Sequence, residues 1–234
     1  MANSGKNSNL LDLNEEEWCR FLSEIAHKMK NKLGGIHGFS ALLEKDLEED
    51  DPRKRLILKA QDGILQLNTL LILTMKIFSK VEPQLKDADL VPLLRDAILR
   101  FESQKRPGDP AKAPGLIAPD RPVYALLDQD LLMEWTVQVL AFASGVSEKI
   151  ETVQLERLGD EQLRVGVAYT LSRNGLSANQ SECVTDLLLN AEPFETRLFL
   201  AIAARVGRIL GGITETRALS SSKRLMTLQL SKGR

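Results

Sequence analysis

Cysteine and histidine are scarce: Cys19, Cys183, His27 and His37 are the only ones in 234 residues. A disulfide framework needs more cysteines at closer spacing, and the usual metal-ligand spacings cannot be assembled from these four residues. A reducing, cytoplasmic setting is therefore expected, with Cys19 and Cys183 as packing residues. Aromatic residues make up only 5% of the chain, too few for base-stacking platforms. The net charge is -1, and without a basic excess no nucleic-acid partner is expected. No apolar run approaches the roughly 18–20 residues that span a bilayer. The polar start MANSGKNSN also lacks a signal core, so no membrane insertion is expected.

What is present suits a folded protein: 43% hydrophobic and 27% charged residues, within the ordinary globular range. The length allows a helical subdomain followed by one mixed α/β domain. Residues 1–14 read as a flexible lead-in. Glu15, Glu16 and Glu17 open a helix with acids where its dipole favours them. Leu22, Ile25, Met29, Leu33, Ile36, Phe39, Leu43 and Leu47 then recur in steps of three and four, one helical face. The acidic run at 48–51 and Pro52 end it. A second helix carries Leu56, Ala60, Ile64, Leu67, Leu71 and Phe78 and stops near Pro83. Such a hairpin has a wide apolar stripe. Pairing two hairpins across a two-fold axis covers it as a four-helix bundle; the alternative is that the C-terminal half covers it within one chain. The homodimer is the expectation.

Asp89 opens a third helix with Pro92 in its first turn, and residues 105–120, with four prolines and two glycines, read as a loop. The pattern then becomes mixed α/β. A strand is predicted at 122–127, a helix at 130–144, and a hairpin at 152–158 and 162–170 around Gly159-Asp160. A helix at 195–210 ends at Gly211-Gly212, and two strands follow at 213–217 and 225–230. Trp18 and Trp135 fall on helical patterns and are expected to pack. Mid-helix Gly34-Gly35 costs roughly 1 kcal/mol per glycine, which suggests close helix packing or a bend beside His27.

The order of these elements, with residues 21–39 (FLSEIAHKMKNKLGGIHGF), resembles the histidine kinase family. That family's H-box has a histidine, an acid, two variable residues, Asn or Thr, Pro, Leu, and then Ile-x-Gly-Tyr/Phe. His27, Asn31, Leu33, Ile36, Gly38 and Phe39 fit; Lys28 stands at the acid and Lys32 at the proline. The resemblance implies an α+β fold. Residues 15–85 would be a dimerisation and histidine-phosphotransfer hairpin forming a dimeric four-helix bundle. Residues 86–234 would be a degenerate histidine-kinase-type ATPase-like domain, an α/β sandwich. In that second part Asp128-Gln129-Asp130-Leu131-Leu132 resembles the entry to the N-box helix, whose magnesium- and phosphate-holding asparagines would fall at Gln138 and Phe142. The family's Asp-x-Gly-x-Gly falls at Tyr169-Thr170-Leu171-Ser172-Arg173. Its glycine-rich lid falls at residues 194–200, which contain no glycine. Phosphates need close backbone N–H approach or a cation held by oxygen ligands, and Phe142 offers neither, so no ATP is expected.

Imidazole is a nucleophile near neutral pH, so His27 is the expected phosphoacceptor; its bland alternative is a solvated helix residue. The resemblance implies a response regulator receiver as partner, which brings its own magnesium, so this chain needs no cofactor. Lys28 is a candidate electrostatic contact to the phosphoryl group or an acidic receiver pocket. Asn31, one turn on, is a candidate for orienting water or the receiver. His37 is read as structural or incidental. Three functions follow: a relay of phosphoryl groups through His27, a non-catalytic pseudokinase that binds a receiver or another histidine kinase, and a working sensor kinase with a divergent ATP site.

Overall fold

The computed structural model describes residues 15–104, 113–159, 162–172, 184, 187, 188, 191 and 194–231. Two compact units emerge, Met1–Lys80 and Val81–Arg234.

The first unit is a helical hairpin, α1 (Glu15–Lys45) and α2 (Pro52–Phe78). Asp51 sets the start of α2: its carboxylate accepts from the Arg53 backbone N–H at 2.8 Å, and Pro52 occupies the first turn, where a missing N–H costs nothing. Gln61 Nε2 donates to Glu44 Oε2 at 3.0 Å across the pair. In this unit only Ala26 and Leu73 are buried among the described hydrophobic residues. Phe21, Ile25, Met29, Ile36, Phe39, Leu42 and Leu43 on α1 stay exposed, as do Leu56, Leu58, Leu65, Leu67 and Ile72 on α2. By length and composition α2 is also apolar enough to cross a membrane, because its average runs over polar breaks at Asp62, Gln66, Asn68 and Thr69.

The second unit begins with β1 (Lys86–Asp89) and α3 (Leu90–Ser103). Then come β2 (Gly115–Ile117), β3 (Tyr124–Leu127), α4 (Gln129–Val146), β4 (Ser147–Arg157) and β5 (Gln162–Leu171). After residues 173–193 follow α5 (Phe194–Ile209), β6 (Ile213–Ala218) and β7 (Lys223–Ser231). β1 pairs antiparallel with β3, and the main sheet has the order β2-β4-β5-β7-β6. Val153, Val167 and Met226 lie side by side on its inner face, as do Leu155, Val165 and Leu228. All six are buried, with α4 and α5 packed against the sheet. Trp135 of α4 is fully buried, and its indole N–H donates to Thr214 Oγ1 at 3.0 Å. Gly211 ends α5 at φ 75, a left-handed cap that glycine adopts without steric cost.

The helical hairpin followed by a mixed sheet domain matches the expected fold class. Three details differ from the sequence reading. β1 was not foreseen, and β2 lies inside the expected 105–120 loop. The third concerns only the lid that the resemblance placed at residues 194–200: as the periodicity predicted, they form the first turns of a helix, α5, where Thr196, Leu198 and Leu200 are buried. Their apolar spacing serves helix packing.

Candidate functional site

Burial divides the surface of α1 into three faces. Leu22, Ala26, Leu33, His37, Ser40 and Glu44 are buried or half-buried, on the side where Glu44 meets Gln61 of α2. Phe21, Ile25, Met29, Ile36, Phe39 and Leu43 form a second, exposed apolar stripe. At about 100° of rotation per residue, this stripe is centred roughly 155° from His27, and the α2-facing side about 110° from it in the other direction. His27 therefore occupies a third face with Arg20, Glu24, Asn31 and Gly38. His27 and Asn31 are both exposed, and covering the apolar stripe leaves them in solvent.

Lys28 is also exposed, but its Nζ is held by Glu24 Oε1 at 2.9 Å. The hydrogen bond from Lys28, then its charge, lowers the Glu24 carboxyl below its ordinary value. Lysine at this position thus has an acidic partner one turn back, which the sequence reading did not single out; the Glu24–Lys28 spacing of four was its signal. His37 is half-buried, and its carbonyl accepts from Ser40 Oγ at 2.8 Å. A Cβ added at Gly34, Gly35 or Gly38 would meet nothing within 4 Å, and α1 runs unbroken through them. Close packing within the chain does not explain these glycines. Cys19 is a free, half-buried thiol, and Trp18 meets Phe21 edge-on at 6.0 Å. Cys183 and Arg173 lie outside the described residues.

In the second unit the positions aligned with nucleotide-binding motifs come together as core. Phe142 and Tyr169 are almost wholly buried and meet edge to face, with ring centroids 6.2 Å apart, a favoured aromatic geometry. Burial pushes the Tyr169 hydroxyl up to about 12, opposed by the nearby Thr216 hydroxyl and Arg224 charge. Neither the Tyr169 nor the Thr216 hydroxyl has a well-aligned hydrogen-bond partner. Gln138 is buried; its Nε2 donates to Glu134 Oε1 at 2.9 Å, while its Oε1 is unpartnered. Asp128 is committed to structure. Its Oδ1 caps α4 through Leu131 N–H at 3.0 Å, and its Oδ2 accepts from Gln84 N–H at 2.7 Å. No group of three or more His, Cys, Asp or Glu side chains able to hold a metal occurs among the described residues.

No family model matches the sequence, and no curated protein matches it. Solved structures do. Full-length ShkA in complex with AMPPNP matches at TM-score 0.71 and 16% identity, over 92% of this chain and 46% of that one. The Acinetobacter baumannii histidine kinase AdeS matches at TM-score 0.58 and 15% identity, over 89% of this chain and 97% of that one. The histidine kinase ThkA, crystallised with the response regulator protein TrrA, matches at TM-score 0.60 and 17% identity, over 92% of this chain and 61% of ThkA. This chain thus spans about half of ShkA and about three-fifths of ThkA. At these identities the likeness is one of fold, and the fold is that of the histidine kinases: a helical hairpin followed by the mixed α/β domain.

Proposed function

We propose that this chain is a cytoplasmic two-component signalling protein that relays a phosphoryl group through His27, to or from a receiver aspartate, without an ATP site of its own. The observation that carries the reading is the placement of His27 on the one face of α1 that neither α2 nor the apolar stripe occupies. The burial of Phe142 and Tyr169 supports the second half of the proposal. Aromatic rings fill the positions where the family has an asparagine that holds magnesium and phosphates and the aspartate that binds adenine, leaving the chain dependent on a phosphorylated partner. The crystallisation of ThkA with TrrA supports a receiver as that partner, which would carry its own magnesium.

In this reading the protein is a homodimer. The exposed stripe of Phe21, Ile25, Met29, Ile36, Phe39 and Leu43 is the surface that two hairpins bury in a four-helix bundle. A receiver docks against α1, and the neutral imidazole attacks its aspartyl phosphate. A second receiver then takes the group. Asn31, one turn below the imidazole, is placed to orient the receiver or a water, and Lys28 to meet negative charge at the docking surface.

Incubation of the full chain with a radiolabelled phosphorylated receiver tests the relay. Acid-labile label is expected on the wild type and none on His27→Ala. Equal labelling of both would overturn the role of His27. A His27→Ala variant that keeps signalling activity in cells would instead identify a non-catalytic pseudokinase. The likeness to ShkA, which was solved with AMPPNP, favours one further reading, a working kinase with a divergent nucleotide site. Calorimetric titration with Mg-ATP separates it: the relay predicts no saturable heat.

A further inference from the structure

The face of α1 that carries His27 also carries a carboxylate. Glu24 precedes His27 by three residues, a spacing that brings the two Cβ atoms to about 5–6 Å on one side of a helix. In angle around the axis Glu24 falls between His27 and Lys28, roughly 60° from the first and 40° from the second. Its resting partner is Lys28, at 2.9 Å, and both side chains are exposed, at 63% and 75%. An exposed pair at this spacing is weakly held, so side-chain rotation can carry the Glu24 carboxylate from Lys28 toward the imidazole.

We propose that Glu24 is the positioning residue for His27: it accepts the Nδ1 proton of the imidazole and leaves Nε2 free to attack, with Lys28 holding the carboxylate between turnovers. This rests on the phosphotransfer reading above. In the step concerned, the Nε2 lone pair forms the N–P bond while the P–O bond to the receiver aspartate breaks. The aspartate departs as a carboxylate with that electron pair. The ring is left as an N-phosphoimidazolium, whose positive charge and Nδ1 proton call for an anionic acceptor. Glu24 is the acid within one turn of His27. The other charged groups near that level are cations: Arg20, Lys28 and Lys30 on α1. The Glu44–Gln61 hydrogen bond sets the antiparallel register of the hairpin and brings the far end of α2, with Lys76 and then Lys80, to the same level.

Two measurements on the full chain test this. The first is the nitrogen-detected NMR titration of the His27 ring, with the half-buried His37 ring as internal reference. Glu24→Gln is expected to lower the His27 midpoint and to reduce the Nδ1–H tautomer, whereas Lys28→Met raises both. The second is rapid-quench phosphotransfer from a phosphorylated receiver. Here Glu24→Gln is expected to slow labelling of His27 about tenfold or more and to shift the rising limb of the pH–rate profile to lower pH. Glu24→Asp recovers part of the rate. Wild-type chain labelled at His27, with Glu24→Gln matching it in rate, midpoint and tautomer, overturns the role of Glu24 and leaves the relay standing. A wild-type chain that never takes label removes the relay, and the positioning role of Glu24 in it. An unchanged His27 tautomer in Glu24→Gln removes the carboxylate–imidazole contact independently of any receiver.

Discussion

Phe39→Ala offers the sharpest test of how the hairpin is covered. Phe39 is 71% exposed in the single chain, toward the C-terminal end of the apolar stripe of α1. Full burial of such a side chain is worth about 1.5–3 kcal/mol, so covering its exposed part yields about 2 kcal/mol per copy. A two-fold interface contains the residue twice, which doubles the effect to about 4 kcal/mol. At roughly 1.4 kcal/mol per decade, the dissociation constant of the dimer rises about a thousandfold. The substitution leaves the isolated helix no worse off, because alanine has the higher helix propensity by up to about 0.7 kcal/mol. Loss of helical signal in the variant would therefore trace to loss of the partner. Leu99 of α3 is the control: it is 66% exposed but lies in the other unit, so Leu99→Ala should leave association unchanged. Sedimentation equilibrium over a dilution series reads the constants. A Phe39→Ala dimer as tight as the wild type, or a wild type monomeric at tens of micromolar, would refute the reasoning. Because α2 is apolar enough to span a bilayer by composition, flotation with liposomes distinguishes a lipid-covered stripe: the dimer predicts that the protein stays with the soluble fraction.

Gly207→Ala should be strongly destabilising. The new Cβ would lie 2.5 Å from Thr214 Oγ1, the acceptor of the buried Trp135 indole N–H. Displacing that hydroxyl leaves the donor unpaired, which adds about 1–3 kcal/mol to the overpacking cost, visible as a lower melting temperature with weakened Trp135 fluorescence anisotropy. Glu151 gives a pH prediction. Hydrogen bonds from Lys223 and then Thr170 hold its carboxyl below the ordinary value of 4.5. The folded value is thus depressed relative to the unfolded chain. Its stabilisation is complete above that ordinary value and is lost as pH falls through the folded one. Lys223→Met should flatten this part of the pH–stability curve in acid melts, and an unchanged slope would sink the assignment. Phe142→Asn should not create nucleotide binding. It removes a buried ring at a cost of about 3–5 kcal/mol and introduces an amide without partners, so calorimetry should show a less stable protein that still gives no heat with Mg-ATP.

The fold was legible wherever burial is periodic. Steps of three and four marked both helices of the hairpin, and alternation around Gly159 marked β4 and β5. β1 was hidden because Lys86-Asp87-Ala88-Asp89 has no strand-forming composition; its register with β3, Ala88 opposite Ala125, is what makes it a strand, and tertiary pairing of this kind overrides propensity. β2 is three residues in a proline-rich stretch and exists through parallel pairing with β4. The helix at 195–210 was legible, with Leu198, Ile202 and Val206 at steps of four on a buried face; the alignment of its first turns with a lid came from element order alone.

The candidate site was legible in its residue types and less so in its partnerships, and the difference is physical. A helical repeat places His27, Asn31 and Glu24 on one side from spacing alone, since every residue of an unbroken helix is fixed relative to its neighbours. What spacing could not supply was which of the two remaining sides faces α2. Both sides carry leucine, isoleucine or phenylalanine at steps of three and four, and the single periodic list from Leu22 to Leu47 mixes them. Burial separates the list: Leu22 and Leu33 go with α2, while Ile25, Met29, Ile36, Phe39 and Leu43 go outward. An α1 that packed with Ile25 and Ile36 inward would be rotated by roughly a quarter turn, and His27, more than about 100° from the centre of either apolar side, would face solvent in both orientations. Solvent presentation of the imidazole therefore follows from spacing alone, and what the burial of Ala26 decides is which apolar side is left for a partner: the one that carries Ile25, Ile36 and Phe39, not the one that carries Leu22 and Leu33.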